Sequence, residues 1–191
     1  LDLLDYDFTN PNPQDDRIVL ARFQASAELA RPTLLWRGRA LPATASEGLR
    51  YTPVPVVPFV QVVPSVRGTT SLYTSGDTQQ TLSASIAVQG QFGNFSRPFL
   101  DYTGFNLRYT QVFRDGLSPF FFDRVVDTRV LSFGISQQLY GPFRFGFQTA
   151  INLDTGERFS TDYFLEYSRR TYGIVIRFNP DREQGSINLR I

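Results

Sequence analysis

The chain has 191 residues, a mass of 21.7 kDa and a formal net charge of +1. It contains no Cys, His or Met, and all 19 basic residues are Arg. These absences exclude a disulfide framework, Cys/His metal sites, Ser-His-Asp or Cys-His catalysis, a lysine Schiff base and a P-loop lysine.

Residues 1–16 (LDLLDYDFTNPNPQDD) are acidic and carry the turn pairs Asn10-Pro11 and Asn12-Pro13, which predicts an irregular lead-in. A single β-domain is expected over 17–191. From Arg17 the period is two: Val19, Ala21, Phe23, Ala25, Ala27 and Leu29 are apolar, with Arg22, Gln24, Ser26 and Glu28 between them. Residues 40–50 hold a short turn at most. The stretch 51–67 (YTPVPVVPFVQVVPSVR) contains Pro53, Pro55, Pro58 and Pro64. Proline cannot donate to a ladder, so the first half of this edge segment is expected at an edge or as an extended arm, while Val60, Val62, Pro64 and Val66 can still face one side of a strand.

Alternation then recurs around 82–92, 105–113, 131–139, 143–153, 159–167, 172–178 and 187–191. Tight connections are expected at Tyr140-Gly141-Pro142, Asp154-Thr155-Gly156 and Arg169-Arg170, and longer ones at 68–80, 93–101, 114–127 and 179–184. The 114–127 loop is apolar enough to fold back onto the strands. The pattern predicts about ten strands and no convincing helix. No run of 18 apolar residues occurs, so no transmembrane helix is expected. Without an initiator Met, the chain is expected to be a processed product or part of a longer protein.

Alternation has two explanations. A soluble barrel turns its apolar face inward, whereas an outer-membrane barrel turns it toward lipid and lines its lumen with the polar face. Here the polar positions within strands are mostly Ser, Thr, Gln, Asn and Gly, and charged residues make up only 19% of the chain. Soluble surfaces are about 25–35% charged. Many segments are long enough for the roughly 9–11 residues that a membrane strand needs. Aromatics such as Phe92, Tyr102, Phe143 and Tyr172 collect near segment ends, as in an interfacial girdle. The expected fold is therefore all-β: an antiparallel up-and-down transmembrane β-barrel of about ten strands, or part of a larger one, in the bacterial outer membrane.

The runs NFSRPFLDYTGFNLRYTQ (94–111), GLSPFFFDRVVD (116–127) and ISQQLYGPFRFGFQTAINLDTGERFSTDYFLEYSRRTYGIVIRFNP (135–180) resemble the C-terminal region of a cyanobacterial outer-membrane family. That family is regarded as the cyanobacterial branch of LptD, the lipopolysaccharide-assembly translocon. The resemblance covers about half the chain and is most specific from Gln137 to Asn179. It implies a non-enzymatic barrel that delivers lipopolysaccharide to the outer leaflet and opens laterally between its end strands. Membrane lipids, lipopolysaccharide and other outer-membrane or periplasmic transport components are the implied partners. The sequence lacks the cysteines of other branches, a recognisable jelly-roll domain and an aromatic last residue, so a truncated part of a larger barrel is expected. A porin or small structural barrel, and a soluble calycin-like lipid binder, are the alternatives.

The candidate path for a head group comprises Gln24, Glu28, Gln89, Asn106, Arg108, Gln148, Asn152, Asp162 and Glu166. The competing reading is a hydrogen-bonded filling of a narrow barrel. Pro53, Pro55, Pro58 and Pro64 form a candidate weak seam, since each lost ladder bond removes about 1 kcal/mol. Arg169 and Arg170 are candidates for a lipid phosphate, which guanidinium forks match, or they simply end a strand. Asp162 and Glu166 lie four apart, about 13 Å along a strand, too far for glycosidase chemistry. Ion pairs with Arg158 or Arg108 are expected instead. No catalytic residue, cofactor, metal or nucleic-acid partner is expected.

Overall fold

The computed structural model describes residues 2–6, 18–120, 123–125 and 127–191. They form β1 (Asp2–Tyr6), β2 (Ile18–Ala30), β3 (Thr33–Arg37), β4 (Phe59–Tyr73), β5 (Thr78–Gly93) and β6 (Tyr102–Gly116). The series continues with β7 (Arg129–Tyr140), β8 (Phe143–Asn152), β9 (Arg158–Ser168), β10 (Gly173–Asn179) and β11 (Gln184–Arg190). All pairings are antiparallel, in the order β1-β2-β4-β5-β6-β7-β8-β9-β10-β11, and β3 also pairs with β4. Neighbours in sequence are thus neighbours in space, as in an up-and-down meander.

Strands β2 and β3 are one line of chain broken at Arg31-Pro32. Ala30 lies opposite Ser65 and Thr33 opposite Val62 on the same flank of β4. Pro32 cannot donate, and Pro64 faces the break; the Pro64 carbonyl accepts the Arg31 N–H at 3.0 Å. The sheet is therefore ten strands wide.

The sheet is open. β1 and β11 form its two edges, and no ladder joins them among the described residues. The expected closure into a ten-stranded barrel is corrected to this extent. Alternation fixes which face each side chain takes, but whether the end strands meet is a long-range matter on which a period of two is silent.

Other expectations are also revised. The lead-in contains β1, while its Asn-Pro turn pairs lie outside the described residues. The connection expected over 68–80 shrinks to 74–77, and that over 179–184 to 180–183. In the first, strand residues rich in Thr, Ser and Gln look like loop by composition but hold full ladders with their neighbours, and in the second Asn179 and Gln184 pair as the last rung of β10 and β11. The first half of 51–67 lies outside the strands, as an extended arm would, but the segment is not a sheet edge. Its second half lies in β4, flanked by β2 and β3 on one side and β5 on the other.

The cross-strand register gives the sheet two chemically distinct faces. One carries Phe23, Leu82, Ile86, Leu107, Phe133, Phe145, Leu165, Ile176 and Leu189, all open to the surroundings. The other carries Gln24, Ser65, Ser83, Asn106, Ser132, Gln148, Asp162 and Asn188. Among the described residues the buried hydrophobic ones are few: Tyr51, Tyr73, Ala87, Phe95, Tyr102 and Phe120. They lie on the polar face or in the connections that fold over it. A soluble β-protein buries its apolar face; this chain packs its own loops on the polar one.

Two connections do this packing. Segment 38–58 crosses one end of the polar face. Tyr51 packs on Phe95 with ring centroids 5.4 Å apart, and Phe95 on Tyr102 at 5.7 Å. The Ser168 hydroxyl donates to the Tyr51 carbonyl at 2.9 Å, and Gln91 Nε2 to the Val57 carbonyl at 2.8 Å. Gly93 (φ +75°) opens the 94–101 connection beneath this strap, where a Cβ would strike the Asp101 carbonyl. At the opposite end, the β6–β7 connection folds back and buries Phe120 against Tyr73.

At that second end Asp154, in the β8–β9 turn, holds the start of β7. It accepts from the Thr128 hydroxyl at 2.6 Å, the Arg129 N–H at 3.1 Å and Arg129 Nε. The Thr128 hydroxyl, then the Arg129 guanidinium, hold its carboxyl below the usual Asp value against a smaller opposing desolvation. A depressed carboxyl stabilises the turn above the ordinary Asp range, and that contribution disappears as pH falls through its lowered folded value. Asp154→Asn should therefore speed exchange of the Arg129 amide at neutral pH relative to the parent. The difference between the two proteins should vanish in acid, and a pH-independent difference would contradict the clamp.

Candidate functional site: a polar groove between two straps

The polar face between the straps is the candidate site. One register row crosses six strands: Gln61, Gln89, Asn106, Gly134, Gln148 and Asp162. An adjacent row runs Phe59, Gln91, Gly104, Ser136, Gly146 and Phe164. Between them lies a groove of about 360 Å³, lined by Gln89, Tyr102, Asn106, Ser136, Gln148 and Phe164.

Glycines make this groove. Tyr102 lies across Gly104 and Phe164 across Gly146. A Cβ on Gly146 would come within 2.5 Å of both the Ile135 carbonyl and the Phe164 ring. Small residues thus let large rings lie flat beside the amides.

The nine expected path residues all fall on this face, but they divide into groups. Gln89, Asn106, Gln148 and Asp162 share the central row. Arg108 lies one row away, opposite Ala87 and Ser132, and is exposed. Gln24 and Glu28 sit on the outer flank, opposite Ser71 and Arg67. Asn152 anchors a turn: its Nδ2 donates to Asp127, and its Oδ1 accepts the Asp154 N–H at 2.7 Å.

The ion pairs expected for the two carboxylates are corrected. Glu166 pairs with Arg144, directly opposite on β8, and not with Arg158 or Arg108. Asp162 accepts from Asn179 Nδ2 at 2.9 Å and from the Ser160 hydroxyl at 3.3 Å. Register explains both outcomes. Arg158 lies beyond a bulge between Ala150 and Ile151, and Arg108 is two strands away from β8.

Arg144 also lies over the rings of Phe95 and Tyr102, at 5.1 and 5.0 Å from their centroids. Together with buried Gln138, which bonds the Asp101 N–H and the Arg97 and Gly141 carbonyls, it forms the floor under the first strap. Sequence reasoning missed Arg144, Gln138 and Phe164. Arg144 and Gln138 sit on the polar phase of their strands, but the loops that cover them come from far along the chain.

The expected proline seam is distributed differently. Pro53 and Pro55 belong to the first strap, and the Pro58 carbonyl accepts the Gly38 N–H at 2.8 Å. Only Pro64 lies inside a strand. Its carbonyl points at β2–β3, so its missing N–H affects that flank and leaves the β5 ladder intact. Arg169 bonds the Tyr167 hydroxyl at 2.9 Å and lies over the Tyr51 and Tyr167 rings, whereas Arg170 is exposed with no partner among the described residues.

Fold and site together define a class: an open, two-faced antiparallel β-sheet whose apolar face is bare and whose polar face holds a strapped groove. The chain belongs to the DUF3769 family, described as a protein of unknown function, whose model matches residues 3–191. That description says nothing of lipopolysaccharide assembly. No curated protein and no solved structure matches the chain.

Proposed function

We propose that this sheet is a sector of an outer-membrane β-barrel that exports lipid, lipopolysaccharide in the first instance, to the cell surface without catalysing a reaction. One observation carries the reading: the chain packs its own loops on the two ends of its polar face and leaves its apolar face bare. Each fully buried Leu, Ile or Phe side chain is worth about 1.5–3 kcal/mol in water, so a bare apolar sheet is stable only against another apolar phase. Lipid supplies that phase, and the polar groove becomes the inner wall.

Strand length agrees. β4, β5 and β6 have 15, 16 and 15 residues, more than the roughly 9–11 needed to cross a bilayer at a tilt. The free edges suit a sector whose remaining strands come from elsewhere in a larger ring. The resemblance of 94–180 to the LptD branch supports lipopolysaccharide as the cargo and envelope transport components as the partners. A soluble calycin-like binder would need the apolar face turned inward around a ligand, and the straps already occupy the opposite face.

Membrane fractionation after depletion tests the proposal. The protein should stay in the membrane pellet through carbonate washing, and its loss should keep lipopolysaccharide from the cell surface. Recovery in the soluble fraction without detergent would sink the membrane reading. Normal surface lipopolysaccharide with altered solute permeability would instead favour a porin.

A further inference from the structure

The described connections at the two ends of the sheet carry opposite charge. Those at the end with the 38–58 strap hold Arg39, Arg50, Arg97, Arg169 and Arg170, against Glu47 and Asp101. The other end holds Asp77, Asp123, Asp127, Asp154, Glu157, Asp181 and Glu183, against Arg124 and Arg182. The basic end is one knitted surface. Arg50 and Arg169 flank the same Tyr51 ring, at 5.3 and 5.8 Å. Arg50 donates to the Ser96 carbonyl, Asn94 to the Arg39 carbonyl, and Arg190 to the Arg169 carbonyl. Asp101 neutralises no arginine here, because its carboxylate accepts the Ser96 and Arg97 backbone N–H groups at 2.8 and 3.0 Å.

On the apolar face, at the end where the β9–β10 turn carries Arg169 and Arg170, lies a hollow of about 410 Å³. It is lined by the aliphatic Leu165, Ile174 and Ile176 and the aromatic Phe143, Tyr167 and Tyr172. Phe143 packs on Tyr167 at 5.0 Å and Tyr167 on Tyr172 at 6.0 Å. Arg169 stands over the Tyr167 ring at 5.5 Å, so the aromatic lining and the basic rim meet there. An apolar hollow that opens at a guanidinium cluster matches a molecule with a hydrocarbon chain and an anionic head.

We infer that this hollow and the arginines above it form a binding site for an anionic phospholipid, with an acyl chain against Leu165, Ile174 and Ile176 and the phosphate at Arg170 and Arg169. The inference rests on the membrane reading above and adds a ligand class and a place to it. A guanidinium is always charged and can grip phosphate through two parallel N–H bonds. Near a membrane surface each arginine favours anionic lipid by about 1 kcal/mol, or roughly fivefold in affinity.

Native mass spectrometry of the detergent-purified chain, titrated with phosphatidylglycerol or phosphatidylcholine of equal chain length, tests this. The parent should prefer phosphatidylglycerol, and Arg170→Gln should remove about fivefold of that preference. Ile176→Trp, which fills the hollow, should weaken both lipids, and Arg182→Gln at the acidic end should change neither. Equal binding of the two lipids by the parent, or equal loss from Arg170→Gln and Arg182→Gln, would overturn the site. Competition by inorganic phosphate at matched ionic strength would also overturn it in favour of a plain anion site. The membrane reading fails separately, through a chain that remains in solution without detergent. A chain that needs detergent yet shows no lipid preference defeats only this inference.

Discussion

Leu107→Arg should destabilise the protein by about 2–4 kcal/mol when it is unfolded from neutral lipid vesicles with urea. Leu107 lies near the middle of β6 on the bare apolar face, opposite Val88 and Phe133, and is 46% exposed. In water a substitution at such an exposed position would change stability by only about 0.5 kcal/mol, and the charge would help solubility. In a bilayer the guanidinium must be drawn into hydrocarbon, and the cost appears in full. Gln24→Arg, on the exposed polar face of β2, is the control and should be near neutral. Equal small effects from the two substitutions would mean that the apolar face does not meet lipid.

Phe120→Ala should cost about 3–5 kcal/mol, the range for removing a fully buried phenyl ring. Phe120 has no exposed surface and stands edge-on to Tyr73, with centroids 5.6 Å apart. Its surroundings are polar and pinned: the Tyr73 hydroxyl and Arg22 both bond Asp123, and the Ser118 N–H donates to Gln79 Oε1 at 2.9 Å. Such a site cannot collapse around a cavity, which places the cost at the upper part of the range. Urea unfolding of parent and variant in the same detergent measures it. Loss of the ring should also free the 117–125 strap, read as faster proteolysis there than in the strands. A variant as stable as the parent would mean that this strap contributes nothing to the fold.

Much of the sheet is legible in the sequence because a period of two survives any tertiary context that keeps one face polar. Val19 to Leu29, Leu82 to Phe92 and Phe143 to Asn152 lie in strands on that pattern alone. β3 was not legible: five residues, TLLWR, with a bulge between Leu34 and Trp36, break the rhythm. Thr69 to Ser71 and Gln79 to Gln80 look like loop by composition and are ladder in fact: Thr69 lies opposite Thr81, Thr70 opposite Gln80 and Ser71 opposite Gln79, so both faces admit such residues toward this end of the sheet. The common face of Gln89, Asn106, Gln148 and Asp162 follows from alternation. Their sharing one row does not, since strand stagger is set by turns and bulges. The straps were least visible. What holds Tyr51 is Phe95, Ser168 and Arg169, the hydroxyl of Ser168 reaching it from 117 positions away.

The taper of the sheet has a consequence for its surroundings. β4–β6 run for 15–16 residues, whereas β10 and β11 have only seven each. Seven residues reach about 23 Å, less than the roughly 30 Å of a hydrocarbon core even without tilt. In the proposed membrane setting, a bilayer that seals against β4–β6 at full thickness would have to thin to meet β10 and β11, at a fraction of a kcal/mol per Å. Hydrophobic mismatch of this kind draws the two leaflets together on one side of the protein only. That side is the one where the apolar hollow and Arg170 lie, so under the proposed function lipid molecules there would have the shortest distance to travel between leaflets.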